Sequence, residues 1–394
     1  MTSRSVFWKI ACTLLALTPA ITALRAEDLG NTPEILDGSS YGRAKAEEQS
    51  QDNGIDEQGN GESELTGIPA LFSTPETGVG GGGAVVYLGP KLKSRRDFGL
   101  AGLTITERRQ FMAAGVLELF DSQELFSVEG FFKITKYPDF FFGVGNDTKA
   151  DDEDLYTMRS RDFGLNFKIS PLSAPKHQFG IGFHQEITEF DEFNPDGILE
   201  TRNYDGKYGG LSREITSSWQ YQDNDEDFDP HRGIRIAWDL YKSSKQLGGN
   251  FESIRFWSNN DYFVPLTDKS TLAMQVYGQF SDGNVPWYQL AQSGGTNLLR
   301  GYFMGRFRDK QMLLSQAEWR RHLFRRWGVV AFAGIGQVAS DVPKLFESKP
   351  LAAWGAGIRL RLTKQQRINA RLDVGFNRTD PKTPSLYLYI LEAF

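Results

Sequence analysis

Sustained alternation of polar and apolar residues constrains this chain more than any other feature. In "RINARLDVG", Arg367, Asn369, Arg371 and Asp373 fall on one face, and Ile368, Ala370, Leu372 and Val374 on the other. "TLAMQVYGQF" sets Leu272, Met274, Val276 and Phe280 against Ala273, Gln275, Tyr277 and Gln279. "FSVEGFFKIT" sets Phe126, Val128, Phe132 and Ile134 against Ser127, Glu129, Phe131, Lys133 and Thr135. Side chains of a β-strand point alternately to opposite faces, so each segment reads as a strand with one apolar side. One such strand suits a soluble sandwich equally well. The pattern, however, persists from residue 67 to the end, and beyond the N-terminus no window offers the roughly 18 uncharged apolar residues of a spanning helix. A chain like this either is soluble outside the inner membrane or crosses a membrane by strands.

Composition favours the second. Phe 29, Tyr 14, Trp 8 and Gly 41 accompany charges scattered through strand-like text, the mixture of a barrel with aromatic girdles and a polar lumen. Connections alternate in length. "DSQE", "PLTDK" and "FR" are short, whereas "KYPDFFFGVGNDTKADDE" and "FDEFNPDGILETRNYDGK" are long. Residues 67–394 number 394 − 66 = 328, about 20 per strand and connection for ~16 strands. The expected fold class is all-β: a transmembrane antiparallel β-barrel of about 16 strands, preceded by a disordered acidic N-terminal leader.

That leader follows a secretory signal. Arg4 and Lys9 precede an apolar run from Ile10 to Leu24, with cleavage expected after Ala26, so 1–26 reads as a signal peptide. Cys12, the only cysteine, lies inside it, which leaves no disulfide to the mature chain. Residues 27–66 carry eleven Asp and Glu against Arg43 and Lys45, with few aromatic or β-branched residues, and are expected to be disordered. The net charge of −6 suggests no nucleic-acid partner.

Two further segments sharpen the reading. The chain ends "SLYLYILEAF", in which Leu386, Leu388, Ile390 and Phe394 alternate with Tyr387, Tyr389 and Leu391. Upstream, "SGGTNLLRGYFMGRFRD" places Arg300 among Leu298, Leu299 and Tyr302, where neither a turn nor a strand core asks for an arginine. "GGTNLLRGYFMGRFRD" with the following "QMLLSQAEWRRHLF" resembles the sixth extracellular loop and next strand of the BamA/TamA superfamily, the bacterial surface antigen family. Its hallmark tetrad corresponds to Leu299, Arg300, Gly301 and Tyr302. "FSTPETGVGGGG" resembles that family's first hairpin, "DNDEDFDPHRG" its Asp-rich turn, and "NARLDVGFN" with "YLYILEAF" its closing strands.

The resemblance implies a loop folded back into the lumen and latched by Arg300, with Gly301 allowing close approach and Tyr302 adding packing area. Glu318 shares a face with Gln316 and Arg320, and Asp373 lies on the polar face of its strand, so either carboxylate is a candidate partner, as is the ring of Phe332, with bonding to backbone carbonyls alone as the alternative. The family's aromatic-x-Asp-x-Gly run appears here as "FAGIG", with Phe332 present but Gly334 in place of the aspartate. Terminal Phe394, with Tyr387 and Tyr389, resembles the family's C-terminal assembly signal. The family's periplasmic POTRA domains have no counterpart among the forty residues before 67, so the client-handling machinery is expected to be either missing or supplied by a periplasmic or outer-membrane partner.

Other motifs carry little. "GVGGGG" satisfies Gly-x-Gly-x-x-Gly but continues into a strand rather than a helix. The alternating Asp223, Asp225, Asp227 and Asp229 lack the Gly and distal Glu of a calcium loop. His177, His184, His231 and His322 show no metal-ligand spacing. No metal, cofactor or catalytic residue is therefore expected. The implied function is outer-membrane assembly or translocation of protein or lipid clients through a lateral seam, in contact with outer-membrane lipids. The rivals are a passive porin-like channel, with Arg159, Lys133, Arg371 and Glu129 in its lumen, and a barrel lipid hydrolase with a serine and a histidine at the sheet surface, although His184 has no serine in a strained elbow nearby.

Overall fold

A computed structural model describes residues 63–92, 96–191, 193–226, 228–347, 349–362, 367 and 369–394. The expected signal peptide and nearly all of the acidic leader, up to residue 62, lie outside the described residues. Strands run in chain order as β1 (Glu64–Thr74), β2 (Gly78–Lys91), β3 (Arg96–Thr106), β4 (Phe111–Phe120), β5 (Phe126–Phe141) and β6 (Asp154–Ile169). Next come β7 (His177–Phe190), β8 (Gly209–Asn224), β9 (Gly233–Ser243), β10 (Ser253–Thr267) and β11 (Ser270–Gly283). The remainder are β12 (Ala291–Ser293), β13 (Phe307–Asp309), β14 (Gln311–Phe324), β15 (Trp327–Ala339), β16 (Leu351–Arg361), β17 (Asn369–Asn377) and β18 (Ser385–Ile390). All but β12 and β13 close into one antiparallel barrel, the expected sixteen-stranded wall. β12 and β13 pair with each other inside the loop spanning 284–310.

Alternation becomes a lumen and a lipid face. Along β6, Tyr156, Met158, Ser160 and Asp162 are buried inward while Leu155, Phe163, Leu165 and Phe167 are exposed outward. An apolar exterior with polar atoms turned inward is the arrangement a bilayer requires, because hydrocarbon cannot solvate polar side chains or unpaired backbone. Short turns such as 268–269 and 325–326 gather on one rim with the start of β1 and the end of β18, and the long loops gather on the other. The long-loop mouth is filled by aromatics. Trp287 from the 284–310 loop stands 4.9 Å from Phe141 and 5.0 Å from Tyr156, both edge-on.

Three elements depart from the alternation reading. β5 continues to Phe141, although "YPDFF" read as part of a long connection. β4 pairs with β5 only as far as Phe111 opposite Lys136, so Pro138 lies beyond that ladder while its other side still pairs with Thr157. A proline is tolerated where no neighbour needs its N–H. β18 stops at Ile390, and Leu391 adopts φ 76, which breaks the pleat. Phe394 thus leaves the outward row of Leu386 and Leu388 and packs inward on Phe263 and Ala273. Arg159, expected in the lumen, lies on the outward face of β6 and pairs with Asp191 at 2.9 Å. Lys133 and Glu129 do face the lumen, but each is engaged, with Asp162 at 2.8 Å and with Lys168 at 2.7 Å.

The two faces should respond differently to charge. Phe163→Arg, at mid-strand on the lipid face, is expected to cost about 2–4 kcal/mol of stability in equilibrium denaturation from vesicles. Gln275→Arg on the lumen face of β11 should cost less, and equal losses would contradict the assigned faces.

Candidate functional site

The loop from 284 to 310 enters the barrel and turns tightly at Leu299–Tyr302, where the Tyr302 N–H donates to the Leu299 carbonyl at 3.2 Å. Leu299 has φ 51 and Gly301 φ 123, so the turn holds one costly left-handed side chain and one glycine. Gly301 could not be replaced simply, since a Cβ there would lie 2.5 Å from the Phe376 carbonyl oxygen on β17. The facing Gly375 is equally bare, and its own Cβ would come within 2.8 Å of the Gly301 nitrogen. Backbone therefore meets backbone at the wall.

This approach carries Arg300 into a buried ion cluster. Its Nη1 donates to Asp373 Oδ2 at 2.5 Å, its Nη2 donates to Glu318 Oε1, and its guanidinium lies 3.7 Å from the centre of the Phe332 ring. Arg300 is 2% exposed, and Glu318 and Asp373 are fully buried. All three candidate partners read from the sequence converge on the one arginine. Charge-assisted bonds of this kind are strong in a low dielectric. The cluster is wider than the sequence suggested. Arg320 Nε donates to Glu318 Oε2 at 2.8 Å, Arg359 donates to Asp373 at 2.5 Å and to Glu392 at 2.7 Å, and Arg371 donates to the Thr296 carbonyl at 3.0 Å. Four arginines thus face three carboxylates.

Gly334, which stands where the family run has an aspartate, has a packing role. A Cβ on Gly334 or on Gly336 would lie 3.0 Å from the two methyls of Leu299, so these glycines form the recess that the buried Leu299 fills. The carboxylates come from β14, which adjoins β15, and from β17, one strand farther round. Glu318 stands opposite Phe332 in the β14 and β15 register. Leu299 is also pinned through its N–H, which donates to Gln316 Oε1 at 3.2 Å. Tyr302 packs edge-on against Phe307 with ring centres 5.6 Å apart.

The same turn touches the last strand and the first hairpin. The Gly301 N–H donates to Tyr387 Oη at 3.0 Å, and the Gly301 carbonyl accepts from Asn377 Nδ2 at 2.7 Å and from Ser385 Oγ at 3.2 Å. Farther along the loop the Met304 N–H donates to Glu76 Oε1, in the turn between β1 and β2, at 3.0 Å. Tyr389 faces the lumen beneath Arg371, whose guanidinium is 5.1 Å from its ring. Phe394 is placed by Arg320, which donates to its main-chain oxygen at 2.6 Å. The contacts of Glu76, Arg320, Arg359 and Glu392 escaped the sequence reading. Only the shared polar face of Arg320 with Glu318 hinted at them.

These contacts flank a weak junction in the wall. β1 and β18 share a single register pair, Ser73 opposite Leu388, whereas β1 pairs with β2 along its whole length and β17 with β18 from Ala370–Ile390 to Gly375–Ser385.

The other motifs are accounted for locally. Asp225 Oδ1 accepts the N–H groups of His231 and Arg232, Asp223 pairs with Lys176 at 2.7 Å, and Asp229 faces Arg361, so these aspartates are dispersed in a turn; Asp227 lies outside the described residues. His184 is buried on the lumen side, its Nδ1 3.1 Å from Glu214.

A sequence profile described as the Omp85 superfamily domain matches residues 118–385, a narrower span than the 67–394 over which the motifs were read. Among solved structures, BamA from Haemophilus ducreyi lacking POTRA domains 1-3 aligns with TM-score 0.60 and 10% identity, over 84% of this chain and 70% of that one. CdiB from Acinetobacter baumannii aligns with TM-score 0.56 and 12% identity, over 84% and 59%. CdiB from Escherichia coli aligns with TM-score 0.55 and 12% identity, over 84% and 62%. The chain spans about three fifths of the length of these CdiB chains.

The ion cluster predicts an order of severity. Asp373→Ala removes the carboxylate shared by Arg300 and Arg359 and leaves four arginines against two acids, so it should cost about 3–5 kcal/mol. Arg300→Ala leaves three against three and should cost less while freeing the loop. Denaturation midpoints, with protease cleavage inside 284–310 as the readout of loop release, check both parts.

Proposed function

The chain belongs to the Omp85 superfamily, a family of bacterial outer-membrane barrels, and from that premise we propose that it assembles or translocates protein or lipid clients through a lateral seam between β1 and β18. The observation that carries the proposal is the single register pair at that junction, in a wall whose other strands are laddered along their lengths. Residues Glu64 to Phe72 of β1 stand in register with β2 but not with β18. Unpaired N–H and C=O groups at a sheet edge cost several kcal/mol each in hydrocarbon, which makes such an edge a template for another strand. A client strand satisfies it by edge pairing, and the backbone bonds serve any sequence.

Arg300 is then the latch that fixes the loop. Through Tyr387 and Ser385 on one side and Glu76 on the other, the loop holds both lips of the seam. Tyr387, Tyr389 and Phe394 at the chain's end place the last strand during the barrel's own insertion, and a periplasmic or outer-membrane partner delivers clients. The aromatic plug at the long-loop mouth and the ion-paired lumen weigh against a passive channel.

The test is folding of an unrelated outer-membrane barrel into liposomes containing this protein, with small-solute leakage followed in the same vesicles. The wild type should accelerate client folding several-fold without leakage. Ser73→Cys with Leu388→Cys, opposite each other in register, should abolish the acceleration when oxidised and restore it on reduction. Arg300→Ala should reduce it. Steady leakage with no acceleration would replace the assembly reading with a pore.

A further inference from the structure

Beneath the latch, at the short-turn rim, lies a cavity of about 190 Å³ whose walls come from the turns after β8, β10, β14 and β16 and from the chain's last residues. Among the described residues its lining includes seven arginines and lysines and three carboxylates, Asp229, Asp268 and Glu392; Arg320 and Arg359 are also paired with Glu318 and Asp373 behind the wall, so the positive charge of the lining is partly and not fully answered. Much of the negative charge is already committed. Glu392 accepts from Arg359 at 2.7 Å and from Asn369 at 2.8 Å, and Asp229 accepts from Asn369 at 3.2 Å and Arg361 at 3.3 Å.

The cations are less well served. Arg320 is 5% exposed, yet its Nη1 has no hydrogen-bond partner, and the nearest carboxylate oxygen, on Asp229, is 3.9 Å away. Arg361 Nε is likewise buried without a partner. Among the described residues Lys269 and Arg326 have no carboxylate within ion-pair distance. A buried guanidinium with unanswered donors is costly, and a concave wall in which one sign predominates concentrates its field on whatever enters.

We infer that this cavity is a binding site for a phosphate-type oxyanion. Arginine forks match the paired oxygens of a phosphate, and lysine adds point charge. The space is somewhat larger than the ~150 Å³ cavity that takes up a benzene molecule, enough for one compact oxyanion. The phosphate group arrives either as the free ion or on a phospholipid headgroup reaching in from the rim. The inference is independent of the seam, since none of the residues that would hold the anion lies on β1 or β18.

The experiment is titration of the purified, folded protein in neutral detergent with potassium phosphate, against potassium chloride at matched ionic strength. Isothermal titration and melting temperature are the readouts. The comparison protein is Lys269→Gln/Arg326→Gln/Arg361→Gln, all at the exposed rim or the cavity edge, its folding checked by heat-modifiable migration on gels. Saturable phosphate binding in the wild type, weakened at least tenfold in the triple variant, is expected. A second arm replaces phosphate with phosphatidylglycerol in phosphatidylcholine nanodiscs. A variant-sensitive melting shift there alone assigns the headgroup as source, and a shift with phosphate alone assigns the free ion. An equal, unsaturable rise in both proteins would be the general stabilisation that excluded salts give, and would overturn the inference. So would no binding in either arm, or binding of a ten-residue polyglutamate that phosphate neither matches nor displaces.

Discussion

The interior of the barrel depends on one buried arginine held between two carboxylates on different strands. A loop spanning 284–310 cannot be held in a lumen by shape alone, because ordering each residue costs on the order of 1–2 kcal/mol of backbone entropy. Arg300 offsets part of that cost with bonds to Glu318 and Asp373 and a face on Phe332, in a site where all three charged side chains are buried. The neighbours are set by the same centre. Arg320 shares Glu318, Arg359 shares Asp373, and Arg359 in turn fixes Glu392 just before the chain's last two residues. Position of the loop and position of the C-terminus are thereby coupled through three carboxylates.

The backbone makes that centre reachable. Gly301 and Gly375 allow main chain to lie against main chain, and Gly334 with Gly336 opens the recess for Leu299. A Cβ at Gly301 or Gly375 would run into backbone, and one at Gly334 or Gly336 would crowd the Leu299 methyls. The replacement of the family's aspartate by Gly334 is then a rearrangement rather than a loss. The negative charge is supplied by Glu318 on the adjacent strand, and the vacated space is taken up by an apolar side chain.

Much of this was legible in the sequence, for identifiable reasons. Period-two alternation survives because a bilayer outside and a polar lumen inside penalise every residue on the wrong face, so the sixteen wall strands and the sidedness of β5, β11 and β17 could be read directly. Arg300, Glu318 and Asp373 were legible as residues out of place or on a shared face. What stayed hidden depends on where neighbouring strands end or where φ changes sign. Pro138 sits in a strand only because β4 stops short, and Phe394 turns inward only because Leu391 goes left-handed while Glu392 reaches Arg359. Arg159 counted as a lumen residue on charge alone, whereas its place in the alternation puts it outside, where Asp191 at the rim accepts it. Glu76 is the clearest omission, since 228 residues separate it from its partner Met304 and no local pattern links them.

The proposed seam gains its meaning from how it is closed. A full ladder between β1 and β18 would resist opening with one backbone bond after another, each worth about 0.5–1.5 kcal/mol net in water and far more in lipid. With a single register pair, closure falls instead to the side-chain and loop contacts of Tyr387, Ser385 and Glu76. Those bonds can be exchanged without unzipping the sheet. Their common anchor, Arg300, is bound to β14 and β17 rather than to either lip. In the proposed mechanism the strength of the wall and the ease of its opening are therefore set by different residues, so a barrel can stay folded in the membrane while one junction yields.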